Sequence, residues 1–121
     1  KDKEIVSTGY NSFPRGLDDG KQSRQERPEK YYWFEHGERN AIYNAARIGV
    51  STKGCTMYLS CGIPCVDCTR GIINSGITRI FCEKGVTTKG EHWEENYNRS
   101  WDMLEEAGIN VQFYDDDYGG L

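Results

Sequence analysis

A histidine and a closely spaced cysteine pair constrain this chain most strongly, because all three must meet at one point to bind one ion. His36 begins a His-Gly-Glu run that ends at Glu38, and Cys65 lies 29 residues after His36 in the run Pro-Cys-Val-Asp-Cys, which ends at Cys68. One imidazole and two thiolates form a three-ligand zinc set, whereas structural zinc sites normally have four protein ligands. Catalytic zinc keeps a position for water, and a nearby carboxylate can serve as the base for that water. The spacing therefore predicts a catalytic zinc site.

The cysteine pair is also compatible with two other kinds of site. A structural four-cysteine site would add Cys55 and Cys61, but it leaves the upstream histidine and glutamate without a role. A thioredoxin-like redox pair normally follows the strand of an N-terminal βαβ unit, and this pair does not. Pro64 instead opens a helix, whose N-terminus favours thiolates, and the i, i+3 spacing puts both sulfurs on one face. We therefore interpret Cys55, Cys61 and Cys82 as packing residues, with Cys61 near the site.

Length and charge restrict the class of protein. The 121 residues fit one domain, covering residues 1–121, and they contain no apolar run of the ~20 residues that a membrane span requires. A net charge of −4 argues against a long nucleic acid as partner. The cysteine count is odd, at five, and the start shows no signal-peptide pattern, so we expect free thiols and a cytoplasmic location.

The hydrophobic pattern predicts an α/β fold. Strands are predicted at residues 5–6, 56–59, 77–82 and 109–114, and helices at 38–49, 64–75 and 93–108. A long polar loop is predicted at residues 10–30 and an acidic tail at 115–117. This alternation indicates βαβ units and a largely parallel sheet covered by helices. A second His-x-Glu run, at residues 92–94, leads into the last helix, so His92 is interpreted as a helix-start or surface residue.

The chain resembles the deoxycytidylate (dCMP) deaminase family of the cytidine-deaminase-like superfamily. The resemblance is carried by residues 7–16 (STGYNSFPRG), 36–42 (HGERNAI), 64–68 (PCVDC) and 75–77 (SGI). The zinc motif alone fits many deaminases, whereas the Gly-Tyr-Asn-x-x-Pro loop and the Glu-Arg-Asn-Ala-Ile run are typical of dCMP deaminases. Two features depart from the family: Gly37 replaces the usual alanine, and the family's N-terminal helix and first strand have no counterpart before Lys1. We therefore expect either additional chain or a partner at that sheet edge.

The resemblance implies a three-layer α/β/α fold with a central mixed, largely parallel sheet. It implies Glu38 as proton shuttle, Asn11 as a contact to the nucleoside and the Gly37 amide as a group facing the pyrimidine. The implied zinc ligands are His36, Cys65 and Cys68. The implied reaction is hydrolytic deamination of dCMP to dUMP with release of ammonia, which supplies the precursor for thymidylate synthesis. Attack would occur at C4 of cytosine, while Glu38 acts first as base and then as acid.

The resemblance also raises expectations about phosphate binding, regulation and assembly. Many family members are activated by dCTP and inhibited by dTTP, and relatives form tetramers or hexamers, so effectors and a homo-oligomer are expected. Arginine suits bidentate phosphate contact. The candidates for the substrate phosphate are Arg15, Arg24, Arg27, Lys30 and Arg70.

Three other functions are compatible with the zinc motif. A deaminase acting on RNA or single-stranded DNA, like tRNA adenosine deaminases, needs a basic and aromatic track, which the acidic composition argues against. A zinc-stabilised scaffold without activity would have no use for Glu38. A deaminase of free cytosine or cytidine shares the zinc motif and differs in its substrate contacts.

Overall fold

The structure is a computed structural model that describes residues 4–83 and 91–114, including the side chains of all of these except residues 91–93. Helices and strands alternate along this part of the chain. In order they are α1 (Gln22–Gln25), α2 (Lys30–Trp33), α3 (Gly37–Ile48), β1 (Thr56–Tyr58), α4 (Val66–Asn74), β2 (Arg79–Glu83), α5 (Glu91–Glu106) and β3 (Asn110–Tyr114). The acidic tail predicted at residues 115–117 lies outside the described residues.

The three long helices occupy the segments predicted from the sequence. Helix α3 follows its N-cap residue His36 and ends where Gly49 adopts a left-handed conformation with φ of +81°, which glycine accepts without a steric penalty. Helix α4 begins two residues after Pro64, because Cys65 is its N-cap. The backbone of residue 92 lies in the first turn of α5, as expected of a helix-start residue.

The three described strands form a parallel sheet in the order β1-β2-β3. In its register, Ile80 lies between Met57 and Val111. These three side chains join one hydrophobic core, which also receives Ile72 from α4 and Leu104 from α5, both fully buried. The predicted α/β fold is confirmed, and the three long helices all contribute side chains to this core.

The strand predicted at residues 5–6 was wrong. Ile5 is 85% exposed, and Val6 packs on the core without entering a strand. The hydrogen bonds of this segment go to α3 instead: the Ser7 hydroxyl donates to the carbonyl of Ala41 at 2.8 Å. Two apolar residues in a row are too short a pattern to distinguish a strand that pairs in the sheet from a segment that packs on a helix. The loop predicted at residues 10–30 is largely irregular and contains α1, while α2 begins at its end.

All five cysteines are present as free thiols. Within residues 4–83 and 91–114, none of the helices combines the length and apolar character that a membrane crossing requires.

The segment around Gly9 lies directly against the first turns of α3. A Cβ atom on Gly9 would lie 2.3 Å from the nitrogen of Ala41 and 2.5 Å from the carbonyl oxygen of Gly37. The side chain of Asn44 donates to the carbonyl of Thr8 at 2.8 Å and holds the segment in place. Only glycine allows this backbone-to-backbone approach, so the segment's position relative to α3 depends on residue 9.

We expect Gly9→Ala to destabilise the protein by about 1–3 kcal/mol, because the added methyl overlaps backbone atoms that cannot rotate away. Gly20→Ala is the control, since its Cβ would meet only the side-chain oxygen of Asp18, at 3.2 Å. Urea unfolding measures both variants. Equal unfolding midpoints for Gly9→Ala and wild type would contradict this close packing of Gly9 against α3.

Candidate metal site and adjoining substrate loop

Two helix N-termini converge at the candidate metal site. His36 caps α3, and Cys65 caps α4 with Cys68 one turn further along. The Nδ1 atom of His36 lies 3.3 Å from the sulfur of Cys68 and 3.5 Å from that of Cys65, and the three ligand atoms all lie within 4.8 Å of one another. Tetrahedral zinc with ordinary bond lengths separates nitrogen and sulfur ligands by about 3.6 Å. The structure therefore brings together the three ligands predicted from the sequence, in a geometry that suits zinc.

The electrostatics of the cluster also suit a cation. A hydrogen bond from the Cys68 thiol lowers the pKa of Cys65 to about 4, and the same hydrogen bond, with burial, raises the pKa of Cys68 above its usual range. The hydrogen bond between His36 and Cys65 raises the pKa of the imidazole. The three groups thus share protons among themselves. Thiolates and a neutral imidazole are the forms that bind zinc, so a bound dication would take the place of those protons.

Glu38 lies in the first turn of α3, where its carboxylate accepts a hydrogen bond from the thiol of Cys61 across 3.7 Å. Burial, together with the charge of Glu38, raises the pKa of Cys61 to about 12, so this thiol keeps its proton and acts as the donor. The sequence placed Cys61 near the site and gave it only a packing role. Cys61 does pack on the core, and its contact with Glu38 is an additional role that only the fold reveals.

Asn11 and Gly37, the two residues expected to contact the substrate, form a hydrogen bond with each other. The backbone N–H of Gly37 donates to the side-chain oxygen of Asn11 at 2.7 Å. Asn40, on the next turn of α3, donates to the carbonyl of Tyr10 at 2.9 Å and to the hydroxyl of Ser12 at 3.2 Å. The loop is therefore fixed on α3, and a substrate acceptor would compete with Asn11 for the Gly37 amide.

The glycine at position 37 fits this arrangement. A Cβ atom there would lie 3.1 Å from the Cα of Tyr10 and 3.3 Å from the carbonyl oxygen of Gly9. An alanine would require the loop to move by a few tenths of an ångström. Glycine at position 37 thus allows the loop to approach α3 more closely than an alanine at this position would.

An ion-pair network that the sequence analysis missed joins the two ligand-bearing helices. Arg39 of α3 lies with Nε 2.6 Å from a carboxylate oxygen of Glu35 and with a terminal nitrogen 3.7 Å from a carboxylate oxygen of Asp67. The Nε atom has no hydrogen-bond partner by geometry, so its short contact with Glu35 is an ionic one. Asp67, which lies between the two cysteines, also pairs with Arg70. Burial is the largest single influence on the pKa of Arg39 and lowers it, but the combined charges of Cys68, Glu35, Cys65 and Asp67 outweigh burial and raise this pKa.

Four of the five candidates for phosphate binding already have local contacts. Three lie over aromatic rings: Arg24 over Trp33 at 3.9 Å, Arg27 over Tyr31 at 5.4 Å and Lys30 over Phe34 at 4.9 Å. Arg70 pairs with Asp67. Among the described residues, Arg15 makes no ion pair, hydrogen bond or ring contact, and it lies in the same loop as Asn11.

An α/β fold with a His-Cys-Cys cluster at two helix N-termini and an adjacent glutamate defines the class of zinc-site deaminases. The family model described as "Cytidine and deoxycytidylate deaminase zinc-binding region" matches residues 1–84. The chain belongs to this family.

Named relatives agree with the family assignment. An uncharacterised deaminase of the luxG 3′ region of Aliivibrio fischeri is 34% identical over 111 residues, covering 92% of this chain and 72% of the relative. The deoxycytidylate deaminase of Enterobacteria phage T2 is 42% identical over 77 residues, covering 63% of this chain and 36% of the phage protein. This chain therefore spans only about a third of the phage relative's length.

Solved structures agree with the fold. The dCMP deaminase of cyanophage S-TIM5 in its apo form superposes with a TM-score of 0.66 at 21% identity, covering 94% of this chain and 75% of that one. The same enzyme in complex with dCMP and dUMP gives a TM-score of 0.67 at 20% identity, covering 94% of this chain and 76% of that one.

We expect purified protein to hold about one zinc ion per chain and the Cys65→Ala/Cys68→Ala double variant to hold none, because one imidazole alone cannot retain the metal. Metal analysis after gel filtration measures both. Cys55→Ala is the control, since this thiol lies in the core outside the cluster. Retention of zinc by the double variant would rule out this ligand set.

Proposed function

We propose that this chain is a zinc-dependent deaminase that hydrolyses dCMP to dUMP and ammonia, with residues 1–121 acting as one deaminase domain. The observation that carries the proposal is a three-residue ligand cluster, short of the four protein ligands of a structural zinc site, with a carboxylate two residues from His36. The hydrogen bond between Glu38 and the thiol of Cys68, which helps to raise the pKa of Cys68, supports a carboxylate turned towards the cluster. Relatives named deoxycytidylate deaminase support the choice of substrate.

In this proposal His36, Cys65 and Cys68 hold the zinc. Bound zinc would supply a polarised water for attack on C4 of the cytosine ring. Glu38 accepts a proton from the attacking water, delivers it to N3 of the ring and then helps to protonate the departing amine. Water is consumed, the C4–N4 bond breaks, and ammonia leaves. One carboxylate serves in both directions because it remains beside the reacting atoms throughout.

The nucleotide would be bound by the loop that lies on α3. Asn11 contacts the nucleoside in this proposal, and the Gly37 amide serves the pyrimidine once the substrate displaces Asn11 from it. Arg15 is the preferred partner of the phosphate, since the other candidate cations have local contacts. A charge-assisted contact of this kind contributes about 1.5–3 kcal/mol.

The remaining proposals concern the protein's setting. Free cysteines support a reducing, cytoplasmic compartment, where dUMP would feed thymidylate synthesis. Regulation by dCTP and dTTP and assembly into a tetramer or hexamer are proposed from the family resemblance.

The role of Glu38 is tested by Glu38→Gln, which keeps the size of the side chain and removes the base. We expect zinc content to stay at the wild-type level while kcat on dCMP falls by at least ~10²–10⁴-fold. Glu94→Gln is the control, because Glu94 is the exposed carboxylate of the second His-x-Glu run. A Glu38→Gln protein with most of its kcat intact would refute the assignment.

The role of the phosphate is tested by comparing dCMP with deoxycytidine. We expect kcat/KM for dCMP to be higher by about 10- to 150-fold, the equivalent of one charge-assisted contact. Arg15→Gln should remove most of this preference and leave deoxycytidine turnover nearly unchanged, whereas Arg27→Gln, as the control, should preserve the preference.

Other outcomes of this assay identify the rival functions. Equal turnover of dCMP and deoxycytidine would favour a nucleoside deaminase, and turnover of cytosine alone would favour a free-base deaminase. Deamination of an oligonucleotide without activity on dCMP would favour a deaminase that acts on RNA or single-stranded DNA.

A further inference from the structure

Cys65 is held on both sides by side chains from α5, a helix that carries none of the three ligands. On one side, the hydroxyl of Ser100 donates to the carbonyl of Pro64 at 2.6 Å. On the other side, the backbone N–H of Val66 donates to the side-chain oxygen of Asn96 at 3.1 Å. Asn96 and Ser100 are one helical turn apart on α5, so they present both contacts from the same face.

The Ser100 contact is fully buried and is supported by a second hydroxyl. Ser100 and Thr69 have no exposed surface, and their hydroxyl groups contact each other. The hydroxyl oxygen of Thr69 lies 3.4 Å from the carbonyl oxygen of Pro64, which is further than the 2.6 Å of the Ser100 hydroxyl oxygen. The consistent arrangement is that Ser100 gives its proton to Pro64 and Thr69 gives its proton to Ser100. Buried polar groups in such a chain are costly to leave unpaired, which keeps the arrangement in place.

These contacts define the orientation of the Cys65 side chain. The carbonyl of Pro64 belongs to the peptide group before Cys65, and the N–H of Val66 belongs to the peptide group after it. Fixing both groups fixes the two backbone torsions between them, φ of −66° and ψ of 168°, and with them the direction of the Cα–Cβ bond. Within α4, the carbonyl of Cys65 accepts from the N–H of Thr69 at 2.9 Å, and its sulfur accepts from the N–H of Cys68 at 3.5 Å. Because Cys65 is the N-cap and has non-helical torsions, the contacts from α5 add to these bonds by holding the peptide groups before and after it.

We propose that Asn96 and Ser100 are positioning residues for the metal site, which set the orientation of Cys65 as a ligand. The proposal rests on the zinc site described under Proposed function. Groups that orient metal ligands typically change metal affinity by ~10–100-fold when they are removed. The alternative is that the two residues only join α5 to α4, in which case they would affect folding and leave the metal unaffected.

The decisive comparison is between Asn96→Ala and Asn96→Asp. Alanine removes the acceptor for Val66 while favouring helix formation in α5, so any loss of zinc does not come from a weakened helix. Aspartate keeps an oxygen at the same position and can accept the same hydrogen bond. Asn98→Ala is the matched control, because Asn98 is exposed on the same helix.

Zinc-loaded proteins are challenged with a colorimetric chelator at a temperature well below unfolding, and the zinc affinity of each is determined. We expect Asn96→Ala to bind zinc ~10–100-fold more weakly than wild type, Asn96→Asp to recover most of the loss, and Asn98→Ala to match wild type. Cobalt-substituted proteins provide a second readout, since the thiolate-to-cobalt absorption band should shift in Asn96→Ala and return in Asn96→Asp.

Wild-type zinc affinity and an unchanged cobalt spectrum in Asn96→Ala would overturn the proposal, as would equal losses in Asn96→Ala and Asn96→Asp. If Asn96→Ala does not fold, Asn96→Gln replaces it, because the longer side chain moves the acceptor by one methylene and leads to the same expectations. A wild-type protein without zinc would defeat the proposed function and this inference together. A zinc-loaded wild type whose Asn96 variants bind equally well defeats this inference alone.

Discussion

The convergence of two helix N-termini is the constraint on which the rest of the site depends. His36 and Cys65 each cap a helix, so each stands at the point where the regular hydrogen bonding begins and where the helix dipole is positive. The His36 side chain makes no capping hydrogen bond to its own helix, and its Nδ1 atom lies against the sulfurs of Cys65 and Cys68 instead. The partial positive charge at these positions favours thiolate in the metal-free protein, and the short distances between the donors let one cation replace their shared protons.

Hydrogen bonds and ion pairs around the cluster connect α3 to the loop that contains Asn11 and to α4. The segment that leads to Asn11 is held on α3 by the side-chain amides of Asn40 and Asn44, so it is attached to the helix that follows His36. Arg39 connects that helix to α4 through Asp67. These contacts connect the candidate metal ligands and the loop, an arrangement that suits the proposed reaction, in which Glu38 would stay aligned with its substrate through two proton transfers.

The fold of this chain was largely predictable, because the hydrophobic periodicity of a long segment indicates whether it forms a helix or a strand. Helices α3, α4 and α5 and strands β1, β2 and β3 lie within a few residues of their predicted bounds. Residues 5 and 6 were mispredicted because a short apolar pair is compatible with either a strand or a segment packed on a helix. The tertiary contact between Gly9 and α3 places this segment on the helix, and the local sequence pattern does not encode that contact.

The sequence by itself determined the donor set, since only a few residue types bind zinc and their spacing at two helix starts is local information. It also determined the alternation of strands and helices through hydrophobic periodicity. Only the tertiary structure decided that Cys61 donates to Glu38, that Asn11 occupies the Gly37 amide and that α5 holds Cys65 through Asn96 and Ser100. The physical reason is that these contacts join residues 23 to 36 positions apart. Packing of the helices against the sheet determines which of these residues meet, and the pattern of residues along the sequence does not specify that packing.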